Sequence, residues 1–335
     1  MATLHDVAKR AGVSTATVSK VLSNTPYFTD TTRDKVMAAV EELGYTPNLA
    51  ARALSSGKSH IIAVVFPYVF EAIFEDPLVL RILEGIESES RERGYNLLLS
   101  TPRLTKDNAD PHYQQLIASG YVDGVIALDN LPSISALEPA HKRKIPAVAI
   151  GYHETDYCVR SDDFSGGQQL LQHLVAFGHR DIGIIAVPEE THFSITHRLR
   201  GVRAAADEAG IDYDAMPRAD GDFGIASGDK ATKTLLTEHP ELTALLCLND
   251  RMAMGAIQQI RNMGLDVPSD ISVVGYDDIP AAAIVAPPLT TINQQAPELG
   301  RAAAKMLFDI LDGHKPERVE MPTHLIVRES AAAPR

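Results

Sequence analysis

Hydrophobic residues recur every three or four positions through the first forty-five residues, and then the rhythm changes. Val7, Ala8 and Ala11 share one helical face that ends at Gly12. Val18, Val21 and Leu22 form a second stripe, and Val36, Ala39, Val40 and Leu43 form a third that ends at Gly44. Each stripe is preceded by a residue suited to cap a helix. Thr3 stands three residues before Asp6, the spacing of a capping box, and Ser14 and Thr29 precede the other two. Three short helices around one small core, with a sharp turn at Gly12, predict a helix-turn-helix over residues 1–46. In such a motif the start of the second helix enters the major groove, so Thr15 and Ala16 lie nearest the base edges. Lys20, one turn on, reaches either guanine or a phosphate.

Residues 47–60 read as a hinge helix and linker. Pro47 pre-sets a helical start, and Asn48 to Leu54 are good helix formers in a run too short to be stable alone. Such a helix needs a partner. Two copies meeting in the minor groove would place each Leu54 as a wedge between base steps, with Asn48 and Arg52 at phosphates or groove edges. A plain structural linker is the alternative.

From Ile61 onward, short β-branched runs alternate with amphipathic stretches. IIAVVF, NLLLST, GVIAL, PAVAI, IGIIAV, ALLCL and ISVVGY read as buried parallel strands, and segments such as LVLRILEGIESESRERG and DRMAMGAIQQIRNMG read as helices between them. The expectation is a doubly wound α/β body over 61–335, divided into two lobes with a cleft between the strand C-termini.

Composition refines this layout. The 335 residues are 45% hydrophobic with a net charge of -13. Residues 1–60 hold seven Lys/Arg against five Asp/Glu, a balance of +2, so the remainder carries -15. Only the head suits a polyanion; the acidic body should resist non-specific contact with DNA. Two cysteines, Cys158 and Cys247, lack metal-ligand spacing and read as buried thiols. No apolar run reaches the roughly 18 residues needed to span a bilayer, and no signal peptide is visible, so a cytoplasmic protein beside the bacterial nucleoid is expected. The common catalytic motifs are missing from the sequence, no metal or other cofactor is expected, and enzyme activity is not. Of the twelve histidines, His192 and His197 draw notice beside Arg198 but read as solvated loop residues.

Polar residues stand where the body's strands end. Arg198 follows IGIIAVP at the start of a helix, Asn249 and Asp250 follow ALLCL, and Asp277 and Asp278 follow ISVVGY. An arginine fork, an amide and a carboxylate converging on one cleft match neighbouring hydroxyls of a sugar. Each also has a structural reading, as a helix cap, a turn residue or an ion-pair partner. Tyr68, Phe70 and Phe74, after the first strand, fit a ligand site, core packing or a dimer contact.

TLHDVAKRAGVSTATVSKVL with YTPNLAARAL resembles the head and hinge of the lactose-repressor (LacI/GalR) family. The likeness continues through SDDFSGGQQLLQHLVAFGHRDIGII, RLRGV, LNDRMAMGAI, ISVVGYDDI and PPLTTI. It implies a periplasmic-binding-protein type I body crossed three times by the chain, placed here near Ser161, Ile292 and Pro322. Lobe 1 is then about 61–160 and 293–321, and lobe 2 about 161–292 and 322–330. It also implies base-reading positions at Thr15, Ala16 and Lys20 and an intercalating Leu54. Thr3, Leu4, Ser14, Thr17, Ser19, Asn48, Ala51 and Arg52 complete the candidate DNA-facing set. Lys20 stands where the family commonly has arginine, and a lysine lacks the bidentate fork. For the body the resemblance implies effector contacts at Arg198, Asn249 and Asp277, with Phe223 stacking on the ligand ring.

The function expected is a repressor that binds a palindromic operator as a homodimer, its half-sites ~34 Å apart, under control of a small sugar or sugar derivative. A regulator of the corepressor type that answers to a nucleobase or other ring compound is the alternative. A solute-binding protein or enzyme with an unrelated head is the least favoured reading. With no leucine-repeat tail after the body, a dimer is expected in preference to a tetramer.

Overall fold

A computed structural model describes residues 2–22, 28–46, 57–67, 75–104, 110–128, 135–152, 157–188 and 192–335. The hinge positions Asn48, Ala51, Arg52 and Leu54 and the aromatic group Tyr68, Phe70 and Phe74 lie outside the described residues. The chain forms two compact units, Met1–His60 and Ile61–Arg335.

The first unit holds helices α1 (Leu4–Ala11), α2 (Thr15–Leu22) and α3 (Asp30–Leu43). Its core consists of Val7, Ala8, Val18, Val21, Val36 and Ala39. So small a core leaves much to the helix ends. The Thr3 hydroxyl accepts from the Asp6 amide at 3.3 Å while the Asp6 carboxylate takes the Thr3 amide at 2.9 Å, a complete capping box. The Ser14 hydroxyl accepts the Thr17 amide at 3.1 Å at the head of α2, and Thr29 caps α3. Gly12, at φ 68°, takes the left-handed conformation that lets the chain leave α1 and turn into α2.

In the second unit a six-stranded parallel sheet runs in the order β11-β5-β4-β3-β1-β2. Its strands are β1 (Ile61–Val65), β2 (Asn96–Ser100), β3 (Gly124–Leu128), β4 (Ala147–Ile150), β5 (Cys158–Ser161) and β11 (Val319–Met321). Alternate residues of β1 face opposite layers. Ile62 and Val64 pack with helices α4 (Pro77–Glu92) and α11 (Ala296–Leu311), whereas Ala63 and Val65 pack with α5 (Pro111–Ala118) and α6 (Glu138–Lys142). Burial on both faces is why this strand reads as an unbroken apolar run. This is lobe 1.

Lobe 2 has a four-stranded parallel sheet in the order β7-β6-β8-β9. The strands are β6 (Ile182–Ala186), β7 (Arg218–Asp220), β8 (Ala244–Cys247) and β9 (Ser272–Val274), with helices α7 (Asp163–Ala176), α8 (Phe193–Ala209), α9 (Ile225–Glu238) and α10 (Asp250–Asn262). Helices α7 and α8 approach so closely that a Cβ on Gly167 would lie 2.0 Å from the Arg198 carbonyl oxygen, and one on Gly201 1.9 Å from that of Phe164. Only glycine fits at either position, and the pair sets the depth at which α8 lies. In lobe 1, Gly85 and Gly300 serve α4 and α11 in the same way.

The chain passes between lobes after β5, after β10 (Thr291–Asn293) and after β11, before β12 (His324–Ile326) pairs antiparallel with β10. The passages are tied together. Ser161 Oγ donates to Gln294 Oε1 at 3.1 Å, Gln295 Nε2 donates to the Pro322 carbonyl at 2.7 Å, and the Asp162 amide donates to the Met321 carbonyl at 2.8 Å. Several features differ from the sequence reading. Strands β5, β7, β10, β11 and β12 were not among the apolar runs, being three or four residues long and partly polar. Arg198 sits in the second turn of α8, not at its start, because the helix begins at Phe193. His192 and His197 are not solvated loop residues: His192 is the N-cap of α8, and the His197 ring stacks on Tyr152 at 4.0 Å.

Candidate functional site

In the head, Thr15, Ala16 and Lys20 are exposed on α2, and Thr17 and Ser19 are half-buried beside them. Three of the candidate hydroxyls already make local bonds: Thr3 with Asp6, and Ser14 with Thr17 at 2.9 Å. Leu4 packs against the head core. The Thr3 and Ser14 hydroxyls also accept backbone amides at the helix starts, so they serve the helices first.

In the body, Arg198, Phe223, Asn249 and Asp277 come from four separate segments and line one cavity of about 140 Å³ between the lobes. Lobe 1 supplies a mostly apolar wall that includes Leu78, Val79, Ile82, Leu128, Ile150 and Leu299. Lobe 2 supplies a mostly polar one.

Arg198 is 5% exposed and bound on several sides. Its Nε donates to Asp163 Oδ1 at 2.8 Å and its Nη1 to the Leu248 carbonyl at 2.7 Å, with Asp277 Oδ1 3.7 Å away. The guanidinium lies 3.7 Å from the centroid of the Tyr276 ring, whose hydroxyl donates to the same Asp163 oxygen at 3.1 Å. Burial alone would make Arg198 easier to deprotonate, but Asp163, Tyr276 and Asp277 more than compensate and hold it charged.

Asn249 caps α10, accepting the Met252 amide at 2.9 Å, and its Nδ2 donates to the Phe223 carbonyl at 3.0 Å. The cap and the cavity wall are therefore one residue, and its second bond fixes the loop that carries Phe223. Phe223 itself sits at φ 68°, edge-on to His192 at 5.1 Å. Asp277 has φ 114°, and Gln294 Nε2 donates to its Oδ1 at 2.6 Å. Two non-glycine residues in the left-handed region at one cavity mark backbone strain held by its surroundings. Burial pushes the Asp277 carboxyl well above the usual range despite the Arg198 cation. Burial, aided by Arg198, pulls the His192 imidazole down to about 4, so it is neutral near pH 7.

Sequence reasoning missed Asp76, Asp163, His192 and Gln294 as lining residues. Asp76 precedes Pro77, a legible helix start, and its Oδ1 does cap α4 by accepting the Leu78 amide at 3.0 Å. Nothing local in the sequence marks Asp163 or Gln294 as neighbours, and His192, close to Arg198 in the chain, reads there as a solvated loop residue. Cys158 and Cys247 are both buried. Among the described residues no helix is long and apolar enough to cross a membrane, and no cluster of His, Cys, Asp or Glu is arranged to hold a metal ion.

A helix-turn-helix unit followed by a two-lobed α/β body with a polar cavity between its lobes defines a ligand-responsive, DNA-binding transcriptional regulator. Residues 3–48 match the family described as bacterial regulatory proteins, lacI family, and residues 171–331 match a periplasmic binding protein-like domain. The chain belongs to the lacI family. It is 34% identical to the HTH-type transcriptional regulator CelR of Thermobifida fusca over 98% of both chains. It is 37% identical to the HTH-type transcriptional repressor PurR of Escherichia fergusonii over 99% of this chain and 97% of that one. Among solved structures, the Lac repressor dimer bound to operator and the anti-inducer ONPF superposes with a TM-score of 0.83 at 29% identity, covering 99% of each chain. The CelR–cellobiose complex gives 0.75 at 32% identity, covering 99% of this chain and 100% of that one. These relatives are transcriptional regulators.

Proposed function

We propose that this protein is a cytoplasmic, non-enzymatic repressor that binds a palindromic operator as a homodimer and is controlled by a small sugar or sugar derivative held between the lobes. The observation that carries the reading is the convergence of Arg198, Phe223, Asn249 and Asp277 on one interlobe cavity. Carboxylate, guanidinium and amide groups on one wall suit adjacent hydroxyls, and the apolar wall opposite suits the C–H face of a pyranose. The solved complex of CelR with cellobiose and that of the Lac repressor dimer with operator lend support from similar chains.

On the operator side, Thr15 and Ala16 face base edges and Lys20 a base or phosphate. Thr3, Leu4, Ser14, Thr17 and Ser19 position the head, and Leu54, with Asn48, Ala51 and Arg52, belongs to the hinge. A second reading, a nucleobase or other flat ring as ligand, draws on Phe223 and the apolar wall of Leu78, Val79 and Ile82.

Binding to the two sites must be reciprocal: a ligand that weakens operator binding is itself bound more weakly by the operator complex, by the same factor. The test is selection of duplexes from a random pool by the purified protein, with and without sugars and nucleobases. Enrichment of a palindrome, altered by one sugar, is the expected result. Enrichment altered only by a nucleobase selects the second reading, and failure to enrich any duplex under every condition overturns the operator-binding proposal.

A further inference from the structure

Asp250 is not among the residues that line the cavity, yet three segments that reach it are joined through this side chain. It is the first residue of α10, next to the cap Asn249, and is fully buried. Its Oδ2 accepts the Ile279 amide at 2.9 Å, two residues beyond Asp277. Its Oδ1 accepts the Thr291 hydroxyl at 2.5 Å, three residues before Gln294. One carboxylate thus anchors α10, the loop after β9 and the crossing strand β10, which carry or lead into Asn249, Asp277 and Gln294. The fit is tight, since a Cβ on Gly275 would lie 2.3 Å from Asp250 Oδ1. The loop it holds is the strained one, with Asp277 at φ 114° and Asp278 at φ 53°.

We propose that Asp250 is a positioning residue for the interlobe cavity: by bonding the loop and the crossing strand at once, it sets the spacing of Asn249, Asp277 and Gln294, and with it the affinity for a ligand that Asp250 never touches. The proposal rests on the reading of this cavity as the effector site. A carboxylate only accepts, so both bonds are complete when Asp250 is ionised. A neutral carboxyl carries a proton, and the Ile279 amide has no acceptor to offer it. The proton must go to Thr291 Oγ1, so that hydroxyl turns and gives up its own bond to Asp250, while it still receives the Asp278 amide at 3.4 Å. The bridge to β10 is then an ordinary hydrogen bond in place of a charge-assisted one, and weaker.

The surroundings place this change of strength near neutral pH. Burial pushes the Asp250 carboxyl up to about 7, against the lowering effect of the Thr291 and Ile279 bonds; Asp278 raises it and Arg328, from the C-terminal segment, lowers it. Asp278 and Arg328 are themselves paired at 2.6 Å. Asp277, in the same loop, is raised by burial, lowered by Arg198 and raised again by Asp250, and the Cys247 thiol of β8 is raised by burial and then by Asp250. Strand β10, of sequence TIN, brings no titratable group. Because its folded pKa lies above the unfolded value, Asp250 contributes stability that is fully present below about pH 4 and is lost as pH rises through about 7. Stability and positioning therefore run in opposite directions: the ionised form costs the fold stability but holds the cavity residues more firmly.

That opposition supplies the test, on the full chain. Asp250→Asn keeps an acceptor for the Ile279 amide and offers its own N–H to Thr291, so it imitates the neutral carboxyl at every pH. Its melting temperature is expected above wild type at pH 8 by about 2 °C or more, with the gap closing toward pH 5. Affinity, measured by calorimetric titration with glucose, cellobiose and hypoxanthine in turn, should move the other way. The variant should match wild type at about pH 5.5 and bind at least about threefold more weakly at pH 8. Thr291→Ser, which keeps the hydroxyl, should bind as wild type at pH 8, and Thr291→Val, which cannot bridge, should bind as weakly as Asp250→Asn or more so.

A residue needed only for folding would lower stability and affinity together. Their joint loss in Asp250→Asn at pH 8 overturns the proposal, and so does an affinity ratio that stays at one across the pH range. Should none of the three compounds bind, crystal structures of wild type and Thr291→Val decide it. With the bridge to β10 cut, the Asp277 carboxylate should shift relative to Asn249 and Gln294 by more than about 0.5 Å, the tolerance within which a site keeps its geometry, and an unmoved Asp277 overturns the proposal. Failure of the effector reading itself looks different: a compound binds, and its affinity is unchanged by Arg198→Ala.

Discussion

The face of α2 and the interlobe cavity solve opposite problems. On α2, Thr15, Ala16 and Lys20 are exposed side chains on a helix only eight residues long, and the small core beneath them consists of six buried residues. In the cavity, Arg198, Asn249 and Asp277 are buried polar groups whose placement depends on bonds to partners far along the chain. An exposed reading surface can change residue by residue at little cost to stability, since water satisfies whatever is put there. A buried polar network cannot, because each member is another's partner. Substitutions at the two places should therefore separate function from stability on α2 and fail to separate them in the cavity.

The largest effect is expected at Arg198. Arg198→Ala removes the donor to Asp163 and to the Leu248 carbonyl and leaves Asp163 and Asp277 buried without their cation. Breaking a buried pair in this way costs roughly 3–5 kcal/mol. Denaturant unfolding of the body should show that loss together with loss of ligand response. A variant of unchanged stability would mean that Asp163 and Asp277 are held by something other than Arg198, and the contrast with α2 would collapse.

Next in size is Gly201→Ala, which never touches the cavity. A Cβ there would lie 1.9 Å from the Phe164 carbonyl, so α8 must move away from α7, carrying Arg198 and His192 with it. Overpacking of this kind costs roughly 1–3 kcal/mol or more. Ligand affinity measured by calorimetry should fall as well, since Arg198 reaches Asp163 only at this helix spacing. If stability falls and affinity holds, α8 is a passive support and the cavity tolerates its displacement.

How much of this was legible in the sequence follows from the same contrast. The head could be read nearly whole: its helices are local, its caps Thr3, Ser14 and Thr29 are separate signals, and Gly12 and Gly44 end two of the helices in left-handed turns. Long buried strands such as β1 and β6 were visible as apolar runs. Strands β5, β7 and β10 to β12 were not, because they are short and also partly polar, and β5 pairs with β11 from the far end of the body. At the cavity, Arg198, Asn249 and Asp277 stood out as polar residues after apolar runs. Asp76, Asp163 and Gln294 did not, since their role arises only when the chain crosses between lobes and returns.

The smallest effect on stability, and the sharpest test of the contrast, belongs to Lys20→Ala. Lys20 is exposed on the last turn of α2, and alanine favours a helix at least as well as lysine, so unfolding should change by no more than about 0.5 kcal/mol. Operator affinity should nevertheless fall, and the manner of the fall tells what Lys20 touches. If it meets a phosphate, binding weakens alike for all duplexes, and the slope of log K against log salt drops by about 0.9. If it meets a guanine edge, the preference at one operator position relaxes, with a loss of about 1–3 kcal/mol confined to the preferred base. Unchanged operator affinity would remove Lys20 from the reading surface altogether and leave Thr15 and Ala16 to carry recognition on α2.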